Sequence, residues 1–236
     1  MQTILVINSK GGSGKTTIAT NIASYFASTN CKTAIMDYDP QGSSLHWLKM
    51  RSSSANPIHG ADAAVQKGRL IRSLQMYVPQ GTEKLVIDAP AGAEGLLLQE
   101  MVRKADFILI PVAPSNIDVH ATADFIRDLL LKGGIRSQAT KLAVVANRVR
   151  RTMPVYEPLE RFLRALSLPF LTRISDSDHY ILAAEQGTGV FEMDETEVAS
   201  EREEFAPIIK WLNPAADQND GRPHNVVTLG RLRFGG

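Results

Sequence analysis

Short, near-continuous apolar runs alternate with longer amphipathic stretches along this chain. The runs are Ile4–Ile7, Thr33–Met36, Leu85–Ile87, Phe107–Val112 and Leu142–Ala146. An unbroken apolar run predicts a strand buried on both faces, as in a parallel sheet. Between the runs the spacing turns helical. Thr17–Phe26 sets Ile18, Ile22 and Tyr25 on one face, and Ile117–Leu131 aligns Ile117, Ala121, Phe125 and Leu129. Pro158–Leu166 stacks Leu159, Phe162, Leu163 and Leu166 on one stripe and turns Arg161 and Arg164 away. Strand alternating with helix predicts an α/β fold, a single domain built on a mostly parallel, doubly wound sheet. In such a sheet the carboxyl ends of the strands share one edge, where ligands bind. After Trp211 the pattern dissolves, and Asn213–His224 is rich in Asn, Asp, Pro and Gly. A domain over residues 1–212 and a flexible tail over 213–236 are expected.

Composition adds mostly exclusions. The chain has 236 residues, 44% apolar and 22% charged, an ordinary globular balance. A chain this long buries roughly 70–75% of its unfolded surface, so its core needs no staple. Cys31 stands alone, which excludes an internal disulfide and any metal site that needs two cysteines of one chain. The start carries no basic n-region, and no run approaches the roughly 18 apolar residues of a membrane span, so a cytoplasmic protein is expected. Lys and Arg total 26 against 25 acids, a net charge of +1. The distribution is uneven, however. Arg148, Arg150, Arg151, Arg161, Arg164 and Arg173 face only Glu157 and Glu160, and the stretch from Glu192 to Glu204 is strongly acidic. Both stretches fit solvated faces, and the first also fits an anion-binding surface.

The densest chemistry lies in Ser9-Lys10-Gly11-Gly12-Ser13-Gly14-Lys15-Thr16-Thr17, after a predicted strand and before a predicted helix. That is the context of a phosphate-binding P-loop. Glycines let the backbone turn its N–H groups onto phosphate oxygens, and the positive helix end adds to the field. Lys15 is placed to reach β- and γ-phosphates, and the Thr16 hydroxyl to bind Mg²⁺. The ordinary motif has Gly where this chain has Ser9, and it does not ask for Lys10. Asp88, closing Leu85-Val86-Ile87, puts a carboxylate at a strand end where it can hold Mg²⁺ through water. Asp37-Tyr38-Asp39-Pro40-Gln41-Gly42 follows the second strand, so Lys15, Asp37, Asp39 and Asp88 are expected to converge. Asn147, closing the fifth predicted strand, offers a carboxamide donor and acceptor to adenine. A guanine-reading motif would want Asp where the chain has Arg150.

Lys10-Gly11-Gly12-Ser13-Gly14-Lys15-Thr16-Thr17 resembles the deviant Walker A motif of the ParA/MinD family of P-loop ATPases. Asp37-Tyr38-Asp39-Pro40-Gln41-Gly42 resembles the ParA branch, as do Pro111-Val112-Ala113-Pro114-Ser115 and Gln186-Gly187-Thr188-Gly189-Val190. The resemblance covers roughly residues 1–212. It implies an ATP-dependent sandwich dimer in which Lys10 crosses to the partner's phosphates. It also implies that Asp39 positions the attacking water and that Mg²⁺ sits near Thr16, Asp37 and Asp88. The motif begins at residue 10, so an N-terminal helix-turn-helix and site-specific operator binding are not expected.

Three functions follow. In the first, an ATP-bound dimer binds double-stranded DNA nonspecifically through the six arginines, and a ParB-like or cargo-adaptor protein stimulates hydrolysis. Phosphate neutralisation needs only Lys and Arg, and dimerisation adds avidity. The cargo is a plasmid, a chromosome or a protein assembly such as a carboxysome. In the second, a MinD-like ATPase holds a membrane through Leu229–Gly236, but Arg233 interrupts the apolar face and Gly230 weakens the helix. In the third, the chain is a ligase of the same superfamily. The iron–sulfur branches are excluded by the single cysteine.

Overall fold

A computed structural model describes residues 1–64, 78–132, 140–150 and 168–213. The helix expected over Pro158–Leu166, Arg151, Arg161, Arg164 and the tail from residue 214 lie outside the described residues. Seven parallel strands form one sheet in the order β3-β2-β4-β1-β5-β6-β7. They are β1 (Gln2–Val6), β2 (Thr33–Asp37), β3 (Ile58–Asp62), β4 (Lys84–Asp88), β5 (Phe107–Val112), β6 (Lys141–Val149) and β7 (Phe170–Ser175). Six α-helices accompany them among the described residues: α1 (Lys15–Ser28), α2 (Ser43–Met50), α3 (Gly95–Lys104), α4 (Asn116–Lys132), α5 (Asp178–Glu185) and α6 (Ala199–Leu212).

The double winding is legible in β1. Ile4 and Val6 point into one core with Ile18, Ile22 and Phe26 of α1 and Phe205, Ile208 and Leu212 of α6. Leu5 and Ile7 point into the opposite core with Leu98, Met101 and Val102 of α3 and Phe125, Ile126 and Leu129 of α4. Both faces are dry, which is why the central strands read as unbroken apolar runs. Two strands escaped the sequence pattern, and they are the two edges. In β3, Ile58-His59-Gly60-Ala61-Asp62, only Ala61 is buried, and in β7 only Ile174 is. With β3 present, the strand carrying Asn147 is the sixth. It also continues through Asn147 to Val149, so Asn147 lies within the strand and does not close it. The pairing of β6 with β7 slips twice on the way, and Arg148 takes a left-handed φ of 57°.

Candidate nucleotide site

The chain leaves the centre of the sheet at Val6, and its phosphate loop runs to Lys15, the first residue of α1. Asn8 fixes the loop's entrance. Its Nδ2 donates to Pro111 O (2.7 Å) at the end of β5 and to Thr122 Oγ1 (3.1 Å) on α4, while its Oδ1 accepts from Lys10 N (3.2 Å). Asn147 fixes the exit from beneath, where its buried Nδ2 donates to Ser13 O (2.8 Å). Gly14 is required twice over. Its φ is 86°, and a Cβ there would lie 1.9 Å from Asn147 Nδ2. As N-cap of α1 it has no side chain to offer, so the first-turn N–H groups of the helix face outward as anion donors.

Lys15 is only 7% exposed, and its Nζ donates to Lys10 O (3.1 Å). Burial holds its ammonium below the ordinary 10.5, while Asp88 and Asp39 pull it back up. Asp88 is buried at the end of β4, paired in register with Val6 on one side and Asp37 on the other. Burial pushes its carboxyl up to about 7, Asp37 and Asp39 push the same way, and a hydrogen bond from Thr16 and the charge of Lys15 oppose them. The expected convergence of Lys15, Asp37, Asp39 and Asp88 is therefore present. Asp88 Oδ2 is buried and has no hydrogen-bond partner among the described residues. Such an orphan acceptor beside a threonine hydroxyl fits a Mg²⁺ site, since Mg²⁺ is held by one or two carboxylates plus phosphate and water. Among the described residues no cluster of three or more His, Cys, Asp or Glu side chains forms a metal cage, which the same chemistry does not require.

Asp37 is occupied differently. Its Oδ2 accepts from Ser44 N (3.0 Å), Ser44 Oγ (2.7 Å) and Leu45 N (3.3 Å), and its Oδ1 from Asp39 N (2.9 Å). It thus caps α2 from the sheet edge and meets the positive helix end with its charge. Asp39 is half-buried, and its Oδ1 accepts from Gln41 N (3.0 Å).

The raised Asp88 pKa makes an expected result. The native state binds this proton more tightly than the unfolded chain does. Between about pH 4 and 7 the stability contribution therefore falls as pH rises, and above 7 it is flat. The span is on the order of a few kcal/mol. Nucleotide-free Asp88→Asn should lose that slope and be more stable than wild type at pH 8. Urea titrations from pH 4 to 8 measure it, and parallel pH profiles for the two proteins would contradict it.

Arg148, Arg150 and Arg173 are exposed on the β6–β7 edge, and Arg150 Nε pairs with Asp176 Oδ2 at 2.7 Å. The acidic stretch is only partly a solvated face. Glu192 pairs with Arg51, Glu201 accepts from Ser177 Oγ (2.6 Å) and contacts His179 Nδ1 (2.8 Å), and Glu204 accepts from Ser175 N and Oγ (both 2.9 Å). Sequence reasoning missed Asn8 and Arg51. A polar residue directly after an apolar run, as in Ile7-Asn8, was the available signal for the first. Arg51 has a partner 141 positions away, which periodicity does not carry.

The sequence model of the CobQ/CobB/MinD/ParA nucleotide binding domain matches residues 4–190. The chain belongs to this family. "Maintenance of carboxysome distribution protein A" of Halothiobacillus neapolitanus is 28% identical over 195 residues, covering 81% of this chain and 87% of that one. "Chromosome-partitioning ATPase Soj" of Thermus thermophilus is 23% identical over 188 residues, 69% of this chain and 75% of that one. A solved ATP complex of McdA from Cyanothece superposes with a TM-score of 0.63 at 18% identity, over 92% of this chain and 96% of that one. The ParA/MinD resemblance and the parallel P-loop fold are thus established. The matched family is a nucleotide binding domain, and no described helix is long and apolar enough to cross a membrane.

Proposed function

We propose that the chain is an ATP-switched positioning ATPase. With ATP it forms a homodimer that binds double-stranded DNA nonspecifically, and an adaptor protein stimulates hydrolysis and release. The cargo chemistry is that of the relatives, a carboxysome or a replicon, and the place of action is the cytoplasm, over the nucleoid. Residues 1–212 form the ATPase, with 213–236 as its tail. The observation that carries the reading is the convergence of Lys15, Thr16, Asp39 and the orphaned Asp88 oxygen on the phosphate loop.

The residues divide the work. Backbone N–H groups of Gly11, Gly12, Ser13, Gly14 and Thr17 cradle the phosphates, and Lys15 offsets their charge. Thr16 and Asp88 hold Mg²⁺, whose charge neutralises the phosphate oxygens during transfer. Asp37 serves that site by fixing the loop and α2. Asp39 orients the attacking water, and Lys10 acts on the partner's phosphates. Asn147 supports Ser13 and keeps its Oδ1 for the adenine edge.

Arg148, Arg150, Arg151, Arg161, Arg164 and Arg173 form the DNA surface. Changing Arg148, Arg150 and Arg151 together to Glu should weaken ATP-dependent DNA binding at least tenfold with ATPase activity unchanged. Arg148 adjoins Asn147, so Arg148→Glu alone separates a nucleotide effect from a DNA effect. Wild-type binding should fall steeply with salt, each phosphate contact adding about 0.9 to the slope of log affinity against log salt. Filter binding with ATP and ADP at 50 to 300 mM salt is the test. Equal binding with ADP, or a salt-insensitive affinity, overturns the DNA reading.

A further inference from the structure

The segment Gln186-Gly187-Thr188-Gly189-Val190 makes no hydrogen bond to Lys15 or Asp39, yet two helices of the nucleotide site are fastened to it. Arg51 ends α2, and its side chain is 5% exposed. Its Nη1 donates to Gly187 O (3.0 Å) and Glu192 Oε2 (2.8 Å), its Nη2 to Glu192 Oε1, and its Nε to Asn56 O (3.0 Å). One turn earlier on α2, Trp47 Nε1 donates to Thr188 O (3.0 Å), and the Arg51 guanidinium lies over the Trp47 ring at 5.6 Å. The helix end sits directly on the segment's backbone. A Cβ on Gly187 would lie 2.3 Å from Arg51 N, at a φ of 65°.

The other side of the segment holds α1. Val190 N donates to Asn21 Oδ1 (2.9 Å), and a Cβ on Gly189 would lie 1.9 Å from Ser24 Oγ. Asn21 and Ser24 belong to the helix that begins with Lys15. One short stretch, residues 187–192, therefore locks α2 to α1. At its other end α2 is bound to Asp37, and Asp37 Oδ1 holds Asp39 N. A continuous line runs from Glu192 through Arg51 and α2 to Asp39.

We infer that Arg51 and Glu192 are positioning residues for hydrolysis. Without touching nucleotide, they set Asp39 against Lys15 and the phosphates. The inference rests on the role given to Asp39 above. A rigid helix transmits a displacement at its end to the loop at its start, and a misplacement of about 1 Å of a reacting group costs about a hundredfold in rate. Nucleotide binding depends on the loop before α1, which Asn8 and Asn147 fasten independently of α2. Loss of the Arg51–Glu192 lock should therefore lower kcat and leave affinity in place.

The test uses the full chain with ATP and Mg²⁺, at concentrations where dimers are verified. Removing one partner alone would leave a buried unpaired charge, so Arg51→Met and Glu192→Met are combined, as apolar side chains of similar volume. Trp47→Phe is the second variant; it keeps a ring beneath the Arg51 guanidinium and removes the bond to Thr188. The double variant should lose at least tenfold in kcat, and Trp47→Phe two- to fivefold. Both should bind a nonhydrolysable ATP analogue within twofold of wild type. A folded double variant with wild-type kcat overturns the inference, and so does an affinity that falls in step with kcat. If the double variant does not fold, Trp47→Phe decides on the same two criteria. Asp39→Ala is measured alongside. If it hydrolyses ATP at the wild-type rate, the hydrolysis reading itself fails. If it is inactive while the double variant is not impaired, only the lock is overturned.

Discussion

Lys15→Ala should lose ATP binding while the nucleotide-free protein keeps its stability. Lys15 is buried beside Asp88 and Asp39, and burial already works against its charge. Replacing it with alanine relieves that desolvation cost, so the unliganded Tm should hold or rise. The triphosphate meets the reverse situation. Its negative charge would enter a site that keeps the carboxylates of Asp88, Asp39 and Asp37 and has lost the Lys15 cation that faces them. Charge-assisted hydrogen bonds contribute about 1.5–3 kcal/mol each, and like-charge repulsion adds to their loss. Affinity should fall by at least about a hundredfold. A fluorescent-nucleotide titration with a thermal melt of the same sample measures both sides. A variant that melts early and binds poorly would show a structural lysine. One that binds ATP normally would remove Lys15 from the phosphate site. The same substitution should also raise the Asp88 pKa above about 7, because Lys15 is one of the two influences holding it down.

The centre of the fold was legible because it is uniform. β1, β2, β4, β5 and β6 are dry on both faces, and burial on both faces is what turns a strand into an apolar run. The edges were not legible for the same reason. β3 has one neighbour and exposes His59, Gly60 and Asp62, so its sequence resembles a loop. The site showed a similar division. Lys15 and Thr16 lie in one short motif, and Asp88 joins them because β1 and β4 are parallel neighbours whose carboxyl ends share one edge. Asp37 could be placed from sequence, but three of its four hydrogen bonds depend on where α2 begins. Asn147 was read from its type as a base-contacting amide. The fold spends its Nδ2 on Ser13 O, a partner 134 positions away. Long-range pairings of this kind, like Arg51 with Glu192, leave no local pattern.

Lys10 and Asp39 should complement one another between chains. The ordinary P-loop is served by one lysine, and here Lys15 fills that place, with its Nζ on the Lys10 carbonyl. The Lys10 backbone is thereby built into the loop, its N–H on Asn8 and its carbonyl accepting from Lys15 and Ser13. The ammonium at the end of its side chain is a separate matter. Charge develops on the bridging and equatorial oxygens during phosphoryl transfer, and a cation supplied from a second chain is an established way to stabilise it. Each such contact is worth on the order of 3–4 kcal/mol in the barrier. If Lys10 acts across a dimer, Lys10→Ala should bind ATP and lose at least about a hundredfold in kcat. Asp39→Ala should bind ATP, dimerise and fail to hydrolyse it. Each homodimer then lacks one group at both sites. The mixed dimer differs, because one of its two sites joins a wild-type Asp39 in its own chain with a wild-type Lys10 from its partner. An equimolar mixture, in which half of the dimers are mixed, should therefore recover about a quarter of the wild-type rate per chain, on the assumption of random exchange and independent sites. If both groups acted within one chain, that chain would be intact in neither parent, and mixing would recover nothing. Light scattering fixes the dimer, differently tagged chains fix the mixed fraction, and phosphate release gives the rate. A mixture no more active than its parents, with mixed dimers demonstrated, places Lys10 in its own chain's site and removes it from the interface.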